Sequence, residues 1–203
     1  MDAGLLFSAG KDSTLAGVLL APSCELTTVT VHFGITDDWR HARETAASLG
    51  WPFERVELDR SHAEHAVDLM VDDGYPRRGI QYVHEQALET IAEAGLDAVA
   101  DGTRRDDRVP SLTRAQARSL EDRHDVEYIA PLSGFGRGAI DRLVEASLEV
   151  TAGPSESIER ADYEGELRAL LEQRPGSPTV DDVFPAHEQT RVIVPAGDGV
   201  PPG

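Results

Sequence analysis

The stretch from Ala3 to Leu20, AGLLFSAGKDSTLAGVLL, decides the fold of this chain. Its first part, Gly4-Leu5-Leu6-Phe7, is a short apolar run of the kind that becomes a buried parallel strand. Its second part sets Leu15, Val18 and Leu19 at helical spacing, so that one face packs back on the strand. Between them lie Ser8, Ala9, Gly10, Lys11, Asp12 and Ser13. A strand that turns sharply into a helix leaves free backbone N–H groups at the turn, where the helix dipole is positive. Such a turn is an anion site, and phosphate is its usual occupant. Gly10 lets the backbone approach an anion closely, Ser8 and Ser13 add hydroxyl donors, and Lys11 neutralises charge. Asp12 can hold a Mg²⁺ that bridges phosphate oxygens. Lys11 is the sole lysine among 19 basic residues, which marks the position as one that needs an ammonium. The loop is not of the Walker type, because Gly4 to Gly10 is one residue too long and Asp12 stands where Ser or Thr would be.

The rest of the chain continues the strand–helix alternation. Strands are expected at Leu26–Phe33, Phe53–Leu58, Leu96–Ala100 and Val126–Ala130. Helices are expected at Asp37–Leu49, Ser61–Val71, Ile80–Ala94, Leu112–His124 and Gly138–Val150, with a loop at Tyr75–Gly79. Thr151–Ser157 reads as a Gly/Pro/Ser break that ends the core, followed by a helix at Arg160–Glu172. Thr190–Val194 reads as a short edge strand and Pro195–Gly203 as a frayed tail. The expectation is an α/β fold of three layers, a doubly wound parallel sheet of five strands in the order 3-2-1-4-5. Residues 1–150 would form the nucleotide-binding domain and 151–203 a small helical extension with a flexible tail.

In that strand order the sheet reverses between strands one and four, and ligands bind at the crevice beyond the carboxyl ends of those strands. The Ser8–Ser13 loop follows strand one, and Gly102-Thr103-Arg104-Arg105-Asp106-Asp107 follows strand four, so both loops flank one crevice. Gly102 permits a tight turn and Thr103 offers a hydroxyl. Arg104 or Arg105 can stabilise phosphate charge, and Asp106 or Asp107 can hold Mg²⁺. A solvated charged loop is the alternative reading.

Ser8-Ala9-Gly10-Lys11-Asp12-Ser13 resembles the S-G-G-x-D-S motif of the PP-loop ATP pyrophosphatases, the adenine nucleotide alpha-hydrolase-like superfamily of Rossmann-like, HUP-type folds. That group includes asparagine and GMP synthetase domains, NAD synthetase and tRNA-thiolating enzymes. Gly102-Thr103…Asp106-Asp107 and the Pro131-Leu132 pair resemble later motifs of the same group, and the resemblance covers roughly residues 3 to 150. Ala9 departs from it, standing where glycine is usual. The resemblance implies an ATP site with Ser8–Ser13, His32, Gly102 and Thr103 as binding residues. It also implies Lys11, Asp12, Arg104 and Asp107 as catalytic residues, with Mg²⁺ on Asp12 and Asp107. The implied reaction cleaves ATP at the α-phosphate to AMP and pyrophosphate, adenylating an acceptor for amide or sulfur transfer. The resemblance implies a small molecule or tRNA as acceptor and a nucleophile supplied by free ammonia, an amidotransferase or a sulfur-donor partner; it leaves open whether the chain is a homodimer. A non-catalytic ATP or AMP sensor, or a partner subunit of the same fold, is the alternative function.

Composition sets further bounds. A net charge of −18 with one lysine points to a proteome adapted to high salt, that of a halophilic archaeon. The acidity weighs against broad nucleic-acid binding, since no basic stripe is visible along the chain. No apolar run reaches membrane-spanning length and none resembles a signal peptide, so a cytoplasmic location is expected. Cys24, the lone cysteine, falls between the first helix and second strand, away from the crevice, which leaves a sulfur donor to a partner. His62 and His65, with His84, make either a zinc site or exposed helical histidines. His32 ends strand two, where adenosine would lie or where a histidine would simply pack. Arg77 or Arg78 can bind an anionic substrate, or belong to a helix-capping loop.

Overall fold

The structure, a computed structural model, describes residues 1–154, 158, 161–186 and 188–193. Five parallel strands form its centre: β1 Asp2–Leu6, β2 Glu25–His32, β3 Phe53–Glu57, β4 Ala98–Ala100 and β5 Glu127–Ile129. Their order is β3-β2-β1-β4-β5, so the expected doubly wound, Rossmann-like sheet is what the chain forms. Parallel strands need crossover helices, and these cover both faces. On one face α1 (Lys11–Leu20), α2 (Trp39–Ser48) and α6 (Arg137–Ser147) bury Leu15, Ala16, Ala42, Ala46, Ile140 and Val144 against Leu5 and Phe7. On the other, α3 (Arg60–Asp73) and α4 (Arg77–Ala92) bury Val67, Met70, Leu88 and Ile91 against Val29, Val31 and Val99, and α5 (Arg114–His124) adds Leu120. Leu5 pairs with Thr28 and Leu6 with Val29, and pleating sends alternate side chains to opposite faces, so Leu5 and Val29 fall in different cores.

The C-terminal part differs from expectation. The helix anticipated over Gly138–Val150 stops at Ser147, and Glu149–Pro154 is strand β6. It pairs antiparallel with β7 (Glu188–Ile193) through every step from Glu149 with Ile193 to Pro154 with Glu188. The stretch read as a break at Thr151–Ser157 is therefore strand as far as Pro154, and 155–157 lie outside the described residues. Backbone pairing with a partner 30 residues and more away overrides the local turn signal of Gly153-Pro154. Strand β7 is likewise no edge of the main sheet but half of a separate two-stranded one. The predicted tail at Pro195–Gly203, with Val194 and His187, lies outside the described residues. Helix α4 begins at Arg77, so the expected loop at Tyr75–Gly79 is shorter.

Helix α7 (Tyr163–Glu172) and the single turn α8 (Val180–Val183) pack into the second core, burying Leu167, Leu170, Leu171, Val183 and Phe184. Helix α7 also carries a buried carboxylate. Glu166 is 3% exposed and accepts the backbone N–H groups of Phe33 and Ile35, each at 2.8 Å, and of Thr36 at 3.3 Å. These amides leave the end of β2 with no sheet partner, and a carboxylate satisfies them as a charge-assisted acceptor. Glu166→Ala would strand three donors, and a loss of about 3 kcal/mol or more is expected from urea unfolding. Glu166→Gln, which keeps one acceptor oxygen, should lose less; equal stability of Glu166→Ala and the parent would contradict the assignment.

Candidate functional site

Because β1 and β4 are hydrogen-bonded neighbours, the two loops at their carboxyl ends leave the sheet side by side. The contact between them is backbone on backbone. A Cβ at Gly102 would lie 2.7 Å from the Ser13 nitrogen and 2.8 Å from the Asp12 carbonyl carbon, distances no side-chain carbon tolerates. Glycine is what lets the second loop press against the start of α1.

The first loop is folded on itself by its serines. Ser13 Oγ accepts the Ser8 N–H at 3.3 Å, lies 3.2 Å from Ser8 Oγ and donates to the Gly10 carbonyl at 3.2 Å. Ala9 has φ of 60°, the left-handed region that glycine enters freely and that costs alanine about 1–2 kcal/mol. The position where the resembled motif carries glycine is thus one that needs positive φ. Gly10 caps α1 without any side-chain hydrogen bond, and the first intrahelical bond runs from Thr14 N to the Gly10 carbonyl. The amides of Asp12 and Ser13 have no acceptor among the described residues, so the turn presents N–H donors at the positive end of the helix. The C-terminal elements close over this loop. Val192 N donates to the Ala9 carbonyl at 3.1 Å, Ala161 N to the Ser8 carbonyl at 3.3 Å and Lys11 N to Thr190 Oγ1 at 3.4 Å.

Charges alternate across the crevice. Lys11 Nζ is 2.6 Å from Asp12 Oδ1, and Arg104 Nη1 is 3.6 Å from Asp12 Oδ2. Arg104 also binds Asp107 with Nη2 at 2.6 Å and Nε at 3.0 Å, while its own N–H donates to Asp107 Oδ2 at 2.8 Å. The Asp107 hydrogen bond, ahead of the opposing effect of burial, raises the Arg104 pKa and keeps it a cation. Arg104 thus bridges Asp12 and Asp107, the two carboxylates expected to hold a metal. Among the described residues no group of three or more His, Cys, Asp or Glu side chains stands at metal-binding distance. Asp106 pairs with Arg105 at 3.4 Å on the exposed side of the loop.

Beneath the crevice lies a network that sequence reading did not anticipate. His84, 3% exposed, directs Nε2 to Asp101 Oδ2 at 2.9 Å, and Asp101 is 1% exposed. Tyr128 donates to the same oxygen at 2.9 Å, and Thr103 donates its N–H and hydroxyl to Oδ1 at 2.9 and 2.6 Å. His84 Nδ1 lies 3.0 Å from the Tyr163 hydroxyl. Burial disfavours the ionised Asp101, but hydrogen bonds from His84 and Thr103 with the His84 charge outweigh it, and its pKa falls below the usual carboxylate range. Burial and the Asp101 charge raise the Tyr128 pKa. Thr103 is thus committed to Asp101. Of the two readings of His62, His65 and His84, the zinc set does not assemble: His62 Nδ1 meets Tyr82 OH at 2.7 Å, His65 packs edge-on to Tyr82, and His84 points to Asp101 and is buried rather than exposed.

These groups surround a cavity of about 1080 Å³, lined by Ser8, Gly10–Ser13, Gly102–Arg104 and Asp107 together with Tyr75, Arg77, Tyr163 and Thr190. His32 does not line it. Alternation along β2 puts Val31 on the cavity side and His32 on the other, buried with its ring 6.4 Å from that of Trp39. Cys24 is remote from this cavity, as expected.

An ionised Asp101 contributes stability above its unfolded pKa, and that contribution is lost as pH falls through the lower folded value. Asp101→Asn is expected to cost about 3 kcal/mol at neutral pH. Its stability should decline less than the parent's on acidification below about pH 4. Urea unfolding of both proteins over this range is the check, and parallel acid limbs would contradict it.

An uncharacterised protein of Methanocaldococcus jannaschii is 40% identical to this chain over 194 residues, 95% of this chain and 96% of its own length. A crystal structure described as a predicted subunit of tRNA methyltransferase from M. jannaschii is 40% identical and covers 95% of this chain and 96% of that one, with a TM-score of 0.87. The U34-tRNA thiolase NcsA of Methanococcus maripaludis, solved with its 4Fe–4S cluster, shares the fold at 18% identity and a TM-score of 0.50, over 71% of this chain and 56% of that one. Among the described residues no helix is long and apolar enough to cross a membrane. A family model described as a family of unknown function, DUF7411, matches residues 1–194, and the chain belongs to that family.

Proposed function

We propose that this chain binds ATP in the crevice and cleaves it at the α-phosphate, passing AMP to an acceptor. The observation that carries the reading is the pressed contact of Gly102 on Asp12 and Ser13, which sets the uncapped start of α1, Lys11 and Arg104 around one cavity. The donor set fits a polyphosphate: free amides at a helix start, an ammonium and a guanidinium. The cavity is of the size that takes a nucleotide, typical small-molecule sites being about 300–1,000 Å³. Fold likeness to a tRNA thiolase adds support at the level of fold alone.

The amides of Asp12 and Ser13 would bind the β- and γ-phosphates, and Lys11 and Arg104 would neutralise charge that develops on them. An acceptor oxygen attacks the α-phosphorus, the bond to the bridging oxygen breaks, and pyrophosphate leaves with that electron pair. A nitrogen or sulfur nucleophile then displaces AMP from the acceptor. Electrostatic stabilisation of the leaving pyrophosphate is the dominant contribution of such a site. Mg²⁺ would be held by Asp12 or Asp107 with phosphate oxygens completing its shell, one or two carboxylates being its usual protein share, and would neutralise the same charge. For that, Asp12 and Asp107 must yield their contacts to Arg104, whose guanidinium is then free to turn to phosphate.

Incubation with α-labelled ATP and Mg²⁺ tests the reading. The parent should form AMP and pyrophosphate, and Lys11→Ala and Asp12→Ala should each lower the rate about 100-fold or more, the scale of removing one charge-stabilising group. ADP as the product would overturn it.

A further inference from the structure

We propose that the mouth of the cavity is a binding rim for RNA, with Arg77, Arg108 and Arg137 on backbone phosphates and Tyr75 stacking on a base. The inference rests on the reading that an acceptor meets ATP in this cavity, and it names that acceptor's class.

The chain carries 37 acidic and 19 basic residues, so an arginine without a carboxylate partner is the less expected state. Around the cavity the pairing is uneven. Its lining carboxylates are mostly engaged: Asp12 with Lys11, Asp107 with Arg104, Asp101 with His84 and Glu164 with Arg168. Asp106 is paired with Arg105, Asp162 caps α7 through Gly165 N, and Glu188 at the start of β7 is the remaining lining carboxylate. Arg77, Arg108 and Arg137 also line the cavity, are exposed, and have no carboxylate within ion-pair distance among the described residues. They come from three segments, the first turn of α4, the second loop and the first turn of α6, which the sheet topology brings to one opening.

A small buried anion would be met by converging, shielded guanidiniums. Exposed arginines on separate segments suit a ligand that carries several phosphates along a chain. Tyr75 lines the same cavity at 51% exposure, and Phe135, two residues before Arg137, is 37% exposed. Unburied aromatics beside unpaired arginines are the combination that holds splayed bases of single-stranded RNA, by stacking and by phosphate contacts. The fold thus gathers at one opening three arginines that lie far apart along the sequence.

Fluorescence anisotropy with a labelled RNA hairpin bearing a single-stranded loop tests this, at potassium chloride concentrations where circular dichroism shows the chain folded. The variant Arg77→Gln/Arg108→Gln/Arg137→Gln should lose about tenfold or more in affinity. Its slope of log affinity against log salt should be smaller by about 2, the share of three phosphate contacts on a single strand. Arg43→Gln/Arg55→Gln, which removes two exposed arginines lying over Trp39 away from the cavity, should bind as the parent does. Tyr75→Ala should weaken binding and Tyr75→Phe should not. Equal RNA affinity of the triple variant and the parent, equal losses in the two charge variants, or no binding by the parent would overturn the proposal. ATP binding by equilibrium dialysis, run in parallel, separates the two readings. A parent that binds ATP but not RNA overturns the rim alone, and one that binds RNA through the rim but not ATP overturns the nucleotide reading alone.

Discussion

The organisation of the site depends on one contact: the backbone of Gly102 lies so close to the backbone of Asp12 and Ser13 that a single added carbon would have no room. Parallel pairing of β1 with β4 creates the proximity, and the absence of a side chain at 102 allows the two loops to close on each other. Everything chemical follows from that closure. It places Arg104 against Asp12, puts Thr103 above Asp101, and leaves the uncapped start of α1 facing the cavity rather than solvent.

Two layers of electrostatics result. The outer layer is an alternating row of Lys11, Asp12, Arg104 and Asp107, in which Asp12 is shared by two cations and each cation can turn to another anion. The inner layer is fixed. Asp101 takes four donors on its two oxygens, so its orientation is over-determined, and through Thr103 and His84 it ties the second loop to α4 and to Tyr163 of α7. A rigid floor beneath adjustable charges is the arrangement that preorganised stabilisation of a polyanion requires. The C-terminal elements belong to this floor as well, since Glu166 holds the turn after β2 and β7 covers the first loop.

Much of this was legible in the sequence. Apolar runs at Gly4–Phe7 and Leu96–Ala100, which burial on both faces requires, and the alternating Phe53–Leu58 at an edge, separated by helical periods, made the sheet legible. The two flanking loops were legible because each combines glycine with hydroxyls and paired opposite charges and follows a strand beside the order reversal, and both do face one cavity. Strand β6 was not, because its start reads as the last turn of the preceding helix and Gly153-Pro154 as a turn, and it forms only through pairing with β7. His84 looked like a solvated helical histidine, and only the tertiary placement of Asp101 beside it makes it a buried partner. His32 was placed by its strand position alone, and pleating turned its side chain to the far side. The strain at Ala9 was visible as a departure from a glycine motif, but its positive φ is set by the folded loop.

The central claim, that the two loops form one nucleotide site, is tested most directly by hydrogen–deuterium exchange of the parent with and without ATP and Mg²⁺. The account predicts slowed exchange at the amides of Gly10 to Ser13 and, in step with them, at Gly102 to Asp107, with the exposed face of α5 unchanged. Protection confined to one loop, or protection elsewhere with both loops unaffected, would contradict it.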